Sequence, residues 1–288
     1  ETRLRTLVAE RPAPLRLLKS AAWAALDERR RRRTFRSARA IQANGTPAFS
    51  AYARPERGDL LYFDNRMTAP MFANQAHLAR LAARLKRGEP LRLLYSGRLE
   101  RLKGTDQLLP VMRWLRDWRV PATLDIYGTG ALLPAMMLAA ADAGLGATIR
   151  FHAPLDFETE LVPAVKGRYD IFLCCHPQPD PSCTYLETLA CGIPIAGYRN
   201  RAFAGLLDAG EVGWGTPVNR PKALAACIAR LAEDRDAIAS KAADGLAFAR
   251  QHDFETVFRL RIEHLWRQIG VAPAIHASSF PAAEPLPA

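Results

Sequence analysis

The stretch Asp180-Pro181-Ser182-Cys183-Thr184-Tyr185-Leu186-Glu187-Thr188-Leu189-Ala190-Cys191-Gly192-Ile193-Pro194 decides how the chain reads. It begins as a loop of small and turn-forming residues, opens into a short helix carrying the carboxylate of Glu187, and stops at Gly192. Ile193 to Ala196 then reads as a buried strand. A loop feeding a helix start leaves backbone N–H groups unpaired at the positive end of the helix dipole, a place for an anion and usually a phosphate. Glu187, about one turn further in, is placed to accept hydrogen bonds from hydroxyls. Phosphate plus hydroxyls points to a nucleotide or a nucleotide-sugar.

Outward from this stretch, short apolar strands alternate with helices. Strands are expected at residues 91–96, 123–127, 148–151 and 170–174, and helices at 105–118, 131–143 and 157–166. A short helix at 202–209 and a last strand within 212–218 follow. This pattern predicts right-handed βαβ units, hence an α/β fold with a Rossmann-like parallel sheet covered by helices on both faces. Upstream, residues 15–39 read as one long helix or two short ones, 41–47 as a break with turn chemistry at Asn44-Gly45, 60–63 as a strand and 69–86 as a helix. Downstream, helices are expected at 221–232, 235–251 and 254–269, and the Pro/Ala-rich tail 272–288 as disorder. In such a sheet ligands bind at the carboxyl ends of the strands. Those ends are Ser96-Gly97-Arg98, Gly128-Thr129-Gly130, His152-Ala153-Pro154, the Cys175 to Thr184 loop, and Gly197-Tyr198.

The chain has 288 residues and a net charge of +11, enough apolar content for a real core. Its longest apolar stretch, residues 131–141, is too short to span a bilayer, so a soluble protein is expected, of the cytoplasm or peripheral at the inner face of the membrane. Much of the charge sits in Arg29 to Arg33 with Arg36 and Arg39. A solvated helix face, an anionic membrane surface and nucleic acid all fit such a run; the lack of interleaved aromatics counts against single-strand binding. The solvated face weighs most, an anionic membrane surface met through Arg29–Arg39 is the partner kept open beside it, and no nucleic acid is expected. The five cysteines form no paired C-x-x-C pattern and read as reduced, mostly buried small hydrophobes, with Cys183 alone in the key loop.

Two further motifs carry charge or space. Gly97-Arg98-Leu99-Glu100-Arg101-Leu102-Lys103-Gly104 follows a strand and precedes a helix, and its Arg98 and Lys103 supply the fork and the point charge that a diphosphate needs. Gly97 lets a ligand approach the backbone. Gly128-Thr129-Gly130 lacks the third glycine and the downstream acid of a dinucleotide fingerprint, so a Rossmann dehydrogenase is declined and a tight turn beside a ligand is expected.

Tyr95-Ser96-Gly97-Arg98, Lys103-Gly104, Gly128-x-Gly130 and Glu187-Thr-Leu-Ala-Cys-Gly-Ile-Pro194, in this order, resemble the C-terminal donor-binding domain of family 4 glycosyltransferases, which are retaining enzymes of the GT-B fold. The match covers residues 90 to 220. The resemblance implies that Arg98 and Lys103 hold the donor diphosphate and stabilise the departing nucleotide, and that Glu187 accepts hydrogen bonds from the ribose. It implies that Ser182, Cys183 and Thr184 offer backbone N–H groups to phosphate and sugar, and that Phe151 to Leu155, with His152 and Pro154, lie against the base. The chain departs from the family where the first glutamate of Glu-x7-Glu should stand, which is Pro179. Asp180 is the neighbouring carboxylate expected to serve the donor sugar, the alternative being a sugar recognised differently.

What the resemblance implies for the whole is a hexosyltransferase using a nucleotide diphospho-sugar and a glycan or lipid-linked hydroxyl acceptor, with retention, in surface polysaccharide or glycolipid synthesis. Attack is on the front face, the leaving phosphate takes the acceptor's proton, and no cofactor or metal is expected. Residues 1–58 would be the end of an N-terminal acceptor domain and its linker, 59–252 the donor-binding domain, 253–271 a crossing helix, and 272–288 the tail. The family's N-terminal catalytic and acceptor residues are expected to be missing. The alternatives are a non-catalytic or epimerase-like relative of the same fold, and a membrane-surface adaptor acting through the Arg-rich helix.

Overall fold

The computed structural model describes residues 14–270; the tail expected at 272–288 lies outside them, as do residues 1–13. The described residues open with one helix, Pro14–Ser37 (α1), on which Arg31 pairs with Asp27 at 2.8 Å and Arg32 with Glu28 at 2.7 Å, one turn apart. It continues through strand Gln42–Asn44 (β1), helix Thr46–Tyr52 (α2) and strand Leu60–Tyr62 (β2). β1 and β2 pair in parallel, Gln42 against Leu60. The sequence reads as a break at β1 because three residues are too few to show an alternation, while Gly45 beside them does make the expected turn at φ 76°.

Helix Gln75–Lys86 (α3) starts six residues later than expected. The side chain of Asn74 accepts from the His77 amide and the His77 ring accepts from the Asn74 amide, a reciprocal cap that fixes the start, while Ala69–Met71 makes a single tight turn. The remaining elements are Leu91–Ser96 (β3), Leu108–Asp117 (α4), Ala122–Tyr127 (β4), Leu133–Asp142 (α5), Ile149–His152 (β5), Val162–Val165 (α6), Ile171–Cys174 (β6), Cys183–Ala190 (α7), Ile195–Tyr198 (β7), Arg201–Ala209 (α8), Gly213–Thr216 (β8), Pro221–Glu233 (α9), Arg235–Arg250 (α10) and Phe254–Ile269 (α11).

Strands β3 to β8 form one parallel sheet in the order β5-β4-β3-β6-β7-β8. Helices α4 and α9 pack together, and α10 packs on α3 and α7, so helices cover both faces as expected. The sheet centre is apolar throughout: Leu93, Leu124, Ile126, Ile171, Phe172, Leu173 and Ile195 are fully buried, as two-sided cover requires. Two further differences from the sequence reading bear on the site. The helix expected at 157–166 is a π turn, Phe157–Leu161, running into α6: the Leu161 amide reaches Asp156 O at 2.8 Å, and Pro163 has no N–H to continue a regular ladder. Strand β7 runs Ile195–Tyr198, so Gly197-Tyr198 lies inside it and its carboxyl end is Arg199-Asn200. Pairing starts past the Phe172 amide bond to Pro194 O. No helix among the described residues is long and apolar enough to cross a membrane.

The chain builds β3, β4 and β5 outward to one side, then returns to lay β6 on the other side of β3. Asp170 secures that return. Its carboxylate accepts from Arg84 (Nη2, 2.5 Å) and from the Arg92 amide (2.7 Å), and its own amide donates to Arg92 O (2.8 Å). Arg84 also donates to Gly167 O at 2.9 Å. Both side chains are buried. Removing one partner of a buried ion pair strands the other charge, at about 3–5 kcal/mol. Asp170→Ala is therefore expected to lower the urea unfolding free energy by about 3–5 kcal/mol, and Arg84→Met in the same chain to recover part of that loss.

Candidate functional site

The reversal of strand order between β3 and β6 opens a crevice at their carboxyl ends, where the loops after β3 and β4 diverge from helix α7. Those two loops are nested. Gly97 N donates to Tyr127 O at 3.0 Å, Leu99 N to Thr129 O at 2.9 Å, and the Tyr95 hydroxyl to Arg98 O at 3.1 Å. The nesting explains the Gly-x-Gly pair. A Cβ on Gly128 would lie 2.1 Å from Gly97 O and one on Gly130 2.4 Å from Leu99 O, with φ of 145° and 159°. These glycines are dictated by the neighbouring loop, with the space for a ligand a consequence.

A cleft of about 300 Å³ lies there, with Gly97, Arg98, Gly128, Pro154, Thr184 and Glu187 in its walls. Its apolar side comes from Leu155, Phe157, Leu161 and Val162. Helix α7 presents Thr184, Glu187 and Thr188 to it, with Cys191 just past its end, a stripe at helical spacing, while Tyr185, Leu186 and Leu189 are buried on the core side. Ser182 is the extended residue before this helix and its side chain makes no cap hydrogen bond. Gly192, at φ 72°, ends it as the sequence predicts. The combination offers two cations, one carboxylate, first-turn backbone amides and an apolar wall, which suits a ligand with anionic, hydroxylic and flat apolar parts.

The second cation is Arg66, which no sequence pattern singles out because it follows a three-residue strand in a loop. Its Nε donates to Glu187 Oε1 at 2.7 Å and its guanidinium lies 3.8 Å from the centroid of the Phe157 ring. The hydrogen bond to Glu187 raises the Arg66 pKa further above its already high value. Arg98 is 69% exposed and, among the described residues, its side chain makes one ion-pair contact, with Glu100 at 3.4 Å, which leaves it available to the cleft.

Other expected site residues sit outside the cleft lining. Lys103 Nζ pairs with Asp180 Oδ2 at 3.1 Å, joining the loop after β3 to the loop after β6, so the cation and the carboxylate expected to serve the ligand hold each other. His152 turns the other way: its ring stacks on Tyr127 at 4.4 Å and its Nε2 lies 2.9 Å from Asp125, which also receives Arg150 and Tyr169. Burial works against the Asp125 charge, yet these hydrogen bonds outweigh it and hold its carboxyl below the usual carboxylate range. Phe151 packs against the core, Gly130 serves the loop nesting, and Ser182 faces Gly45 and Pro181. Cys183 is half-buried, and burial, then the Glu187 and Asp64 charges, push its thiol up, which disfavours the reactive thiolate. Cys174, Cys175, Cys191 and Cys227 are buried free thiols, as expected.

The family described as "Glycosyl transferases group 1" matches residues 80–244, more than half of the chain. Among curated proteins, none matches in sequence. The fold is similar to that of HepE from Anabaena, solved in complex with UDP and glucose, at 18% identity and a TM-score of 0.64, covering 81% of this chain and 64% of that one. It is also similar to a sucrose-phosphate synthase from Thermosynechococcus elongatus (20%, TM-score 0.64, 83% and 60% covered) and to WaaG, a glycosyltransferase involved in lipopolysaccharide biosynthesis (14%, 0.59, 77% and 61%). The chain thus spans less than two thirds of the length of each of the three.

Beside the Lys103–Asp180 pair, His176, two residues past β6, is buried and its Nδ1 has no hydrogen-bond partner among the described residues. Burial, then the Lys103 charge, lowers its pKa to about 3, against a weaker opposing pull from Asp180. A histidine in an unfolded chain titrates near about 6.5, so below that pH the unfolded chain takes up a proton that the folded one refuses. This contribution to stability is complete above about pH 6.5 and is lost progressively as pH falls toward about 3, by about 1.4 kcal/mol per unit. Urea midpoints at pH 7, 5.5 and 4.5 are expected to fall in that order, and His176→Gln to flatten the slope.

Proposed function

The chain belongs to the group 1 glycosyl transferases, and from that premise we propose that it carries the donor half of an enzyme moving a hexose from a nucleotide diphospho-sugar to a hydroxyl acceptor, with retention at the anomeric carbon. The observation that carries this reading is the cleft itself: a cation, Arg98, on a glycine-bounded loop faces a helix whose stripe carries Glu187, across the strand-order reversal. The UDP and glucose of the HepE complex favour a uridine diphosphate donor.

In this reading the diphosphate lies on the Gly97-Arg98 backbone and the first-turn amides of α7, and the ribose hydroxyls bond to Glu187. The base lies against Pro154 and Leu155. The acceptor oxygen attacks the anomeric carbon on the face from which the diphosphate leaves. The new C–O bond forms as the sugar–phosphate C–O bond breaks, and the acceptor's proton passes to the departing phosphate oxygen. Arg98 stabilises the charge that develops there, an effect of several kcal/mol in such sites. Lys103 joins it when Asp180 releases its ammonium to bond a hydroxyl of the sugar. Nothing in this scheme calls for a protein nucleophile.

The remaining assignments follow from the same reading. Residues 1–58 are assigned to the end of the acceptor-side domain and its linker, residues 59–252 to the donor domain, and 253–271, with α11 (Phe254–Ile269) among them, to the segment that crosses back. The glycan or lipid-linked acceptor and a role in surface polysaccharide or glycolipid synthesis suit the Arg-rich face of α1, which would meet anionic headgroups. UDP is expected to raise the melting temperature, the stabilisation growing as RT ln(1 + c/Kd) with c the free UDP concentration, and Arg98→Ala combined with Lys103→Ala to abolish the rise. A melting temperature unmoved by UDP, GDP and ADP alike would sink the proposal.

A further inference from the structure

We infer that Arg66 is a positioning residue for the nucleoside end of the donor cleft: it holds one oxygen of Glu187 so that the other meets the ribose hydroxyls. The inference rests on the donor reading above and adds a residue to it that no motif contains.

Three observations carry it. Arg66, Arg98 and Glu187 are the charged side chains that line the cleft, whereas Lys103 does not reach its lining. Arg66 uses its Nε on Glu187 Oε1, and among the described residues no hydrogen bond reaches Oε2. A carboxylate has acceptor sites on both oxygens, so Oε2 stays open to the cleft on a side chain whose rotation is arrested. Glu187 is nearly buried while Arg66 is 61% exposed, so the mobile partner is the arginine, and it is restrained twice. The Phe157 ring lies against its guanidinium plane. Its backbone is pinned on both sides by buried neighbours: Asn65 donates to His252 O and accepts from the Met67 amide, and Met67 O accepts from Phe254 N at 2.9 Å.

The position of Arg66 also separates it from a diphosphate cation. It contacts Phe157, two residues beyond Leu155 on the wall assigned to the base, and Glu187, assigned to the ribose. Arg98 stands on the β3 loop with the glycines. Arg66 therefore belongs to the sugar-and-base end. Lysine is no substitute, because it has neither the Nε donor held along the chain nor the flat face for Phe157.

The test compares UDP with its 2′,3′-dideoxy analogue by calorimetry, on the wild type, Arg66→Ala, Arg66→Lys and Phe157→Leu. Arg66→Ala is expected to weaken UDP about tenfold while changing the dideoxy analogue by less than about twofold, since the hydroxyls that Glu187 serves are gone. Arg66→Lys should recover only part of the loss, and Phe157→Leu, which also trims the apolar wall, should weaken UDP about threefold more than it weakens the dideoxy analogue. The melting temperature without ligand should fall with Arg66→Ala, which leaves the nearly buried Glu187 carboxylate without its counter-charge, and much less with Arg66→Lys. Equal losses for both ligands would make Arg66 a general counter-charge and overturn the inference, as would an unchanged UDP affinity. If Arg98→Ala weakens both ligands while Arg66→Ala weakens neither, the donor reading stands and only this inference falls. A wild type that binds no nucleoside diphosphate removes both.

Discussion

Asp170 sits where the chain changes direction across the sheet, and the rest of the structure depends on what holds it. Strand β6 must return to the free side of β3 after two strands have been added on the other, and that return is a non-local pairing with an entropic cost. The side chain of Asp170 takes the Arg92 amide and the buried Arg84 guanidinium together, while its own amide continues the ladder into β3. Arg84 comes from α3, so a helix, the central strand and the returning strand meet at one carboxylate. The crevice lies at the opposite, carboxyl end of the same two strands. Stability and site are thus two ends of the same pair of strands.

The second constraint is the crossing of residues 65–67 with 252–254. Asn65 and Met67 are buried and bonded to the turn between α10 and α11, which ties the segment after β2 to the segment before the last helix. Helix α11 then lies back over the β1–β2 pair, with His264 near Gly58 O and Gln42 donating to Arg261 O. A two-stranded sheet is marginal by itself, and this cover supplies part of what it lacks. The same crossing sets Arg66 at the edge of the cleft, so a residue far from the strand ends in sequence arrives among them.

Charge is distributed with similar economy. A chain of +11 has cations to spare, yet most near the site are engaged: Lys103 with Asp180, Arg150 with Asp125, Arg66 with Glu187. Only the Arg98 contact is long. On α1 the arginines at 31 and 32 are matched by acids one turn earlier, leaving Leu15, Leu18, Trp23 and Leu26 exposed on the same helix.

The fold class and the rim of the site were legible in the sequence because both depend on short-range pattern. Apolar runs of four to six residues separated by helical periods specify parallel strands with crossovers, and the glycines at 97, 128 and 192 mark strand and helix ends whatever the packing around them. Glu187 and Thr184 were readable because helical spacing fixes which residues share a face. Tertiary structure alone decided which charges meet. Arg66 reaches Glu187 across 121 positions, Lys103 reaches Asp180 across 77, and His152 leaves the rim for Asp125. Such pairings depend on the crossing of distant segments and on burial, and neither leaves a periodic trace in the order of residues. That is why the sequence by itself determined a sheet with an anion-friendly rim, and only the folded chain determined which side chains are free to use it.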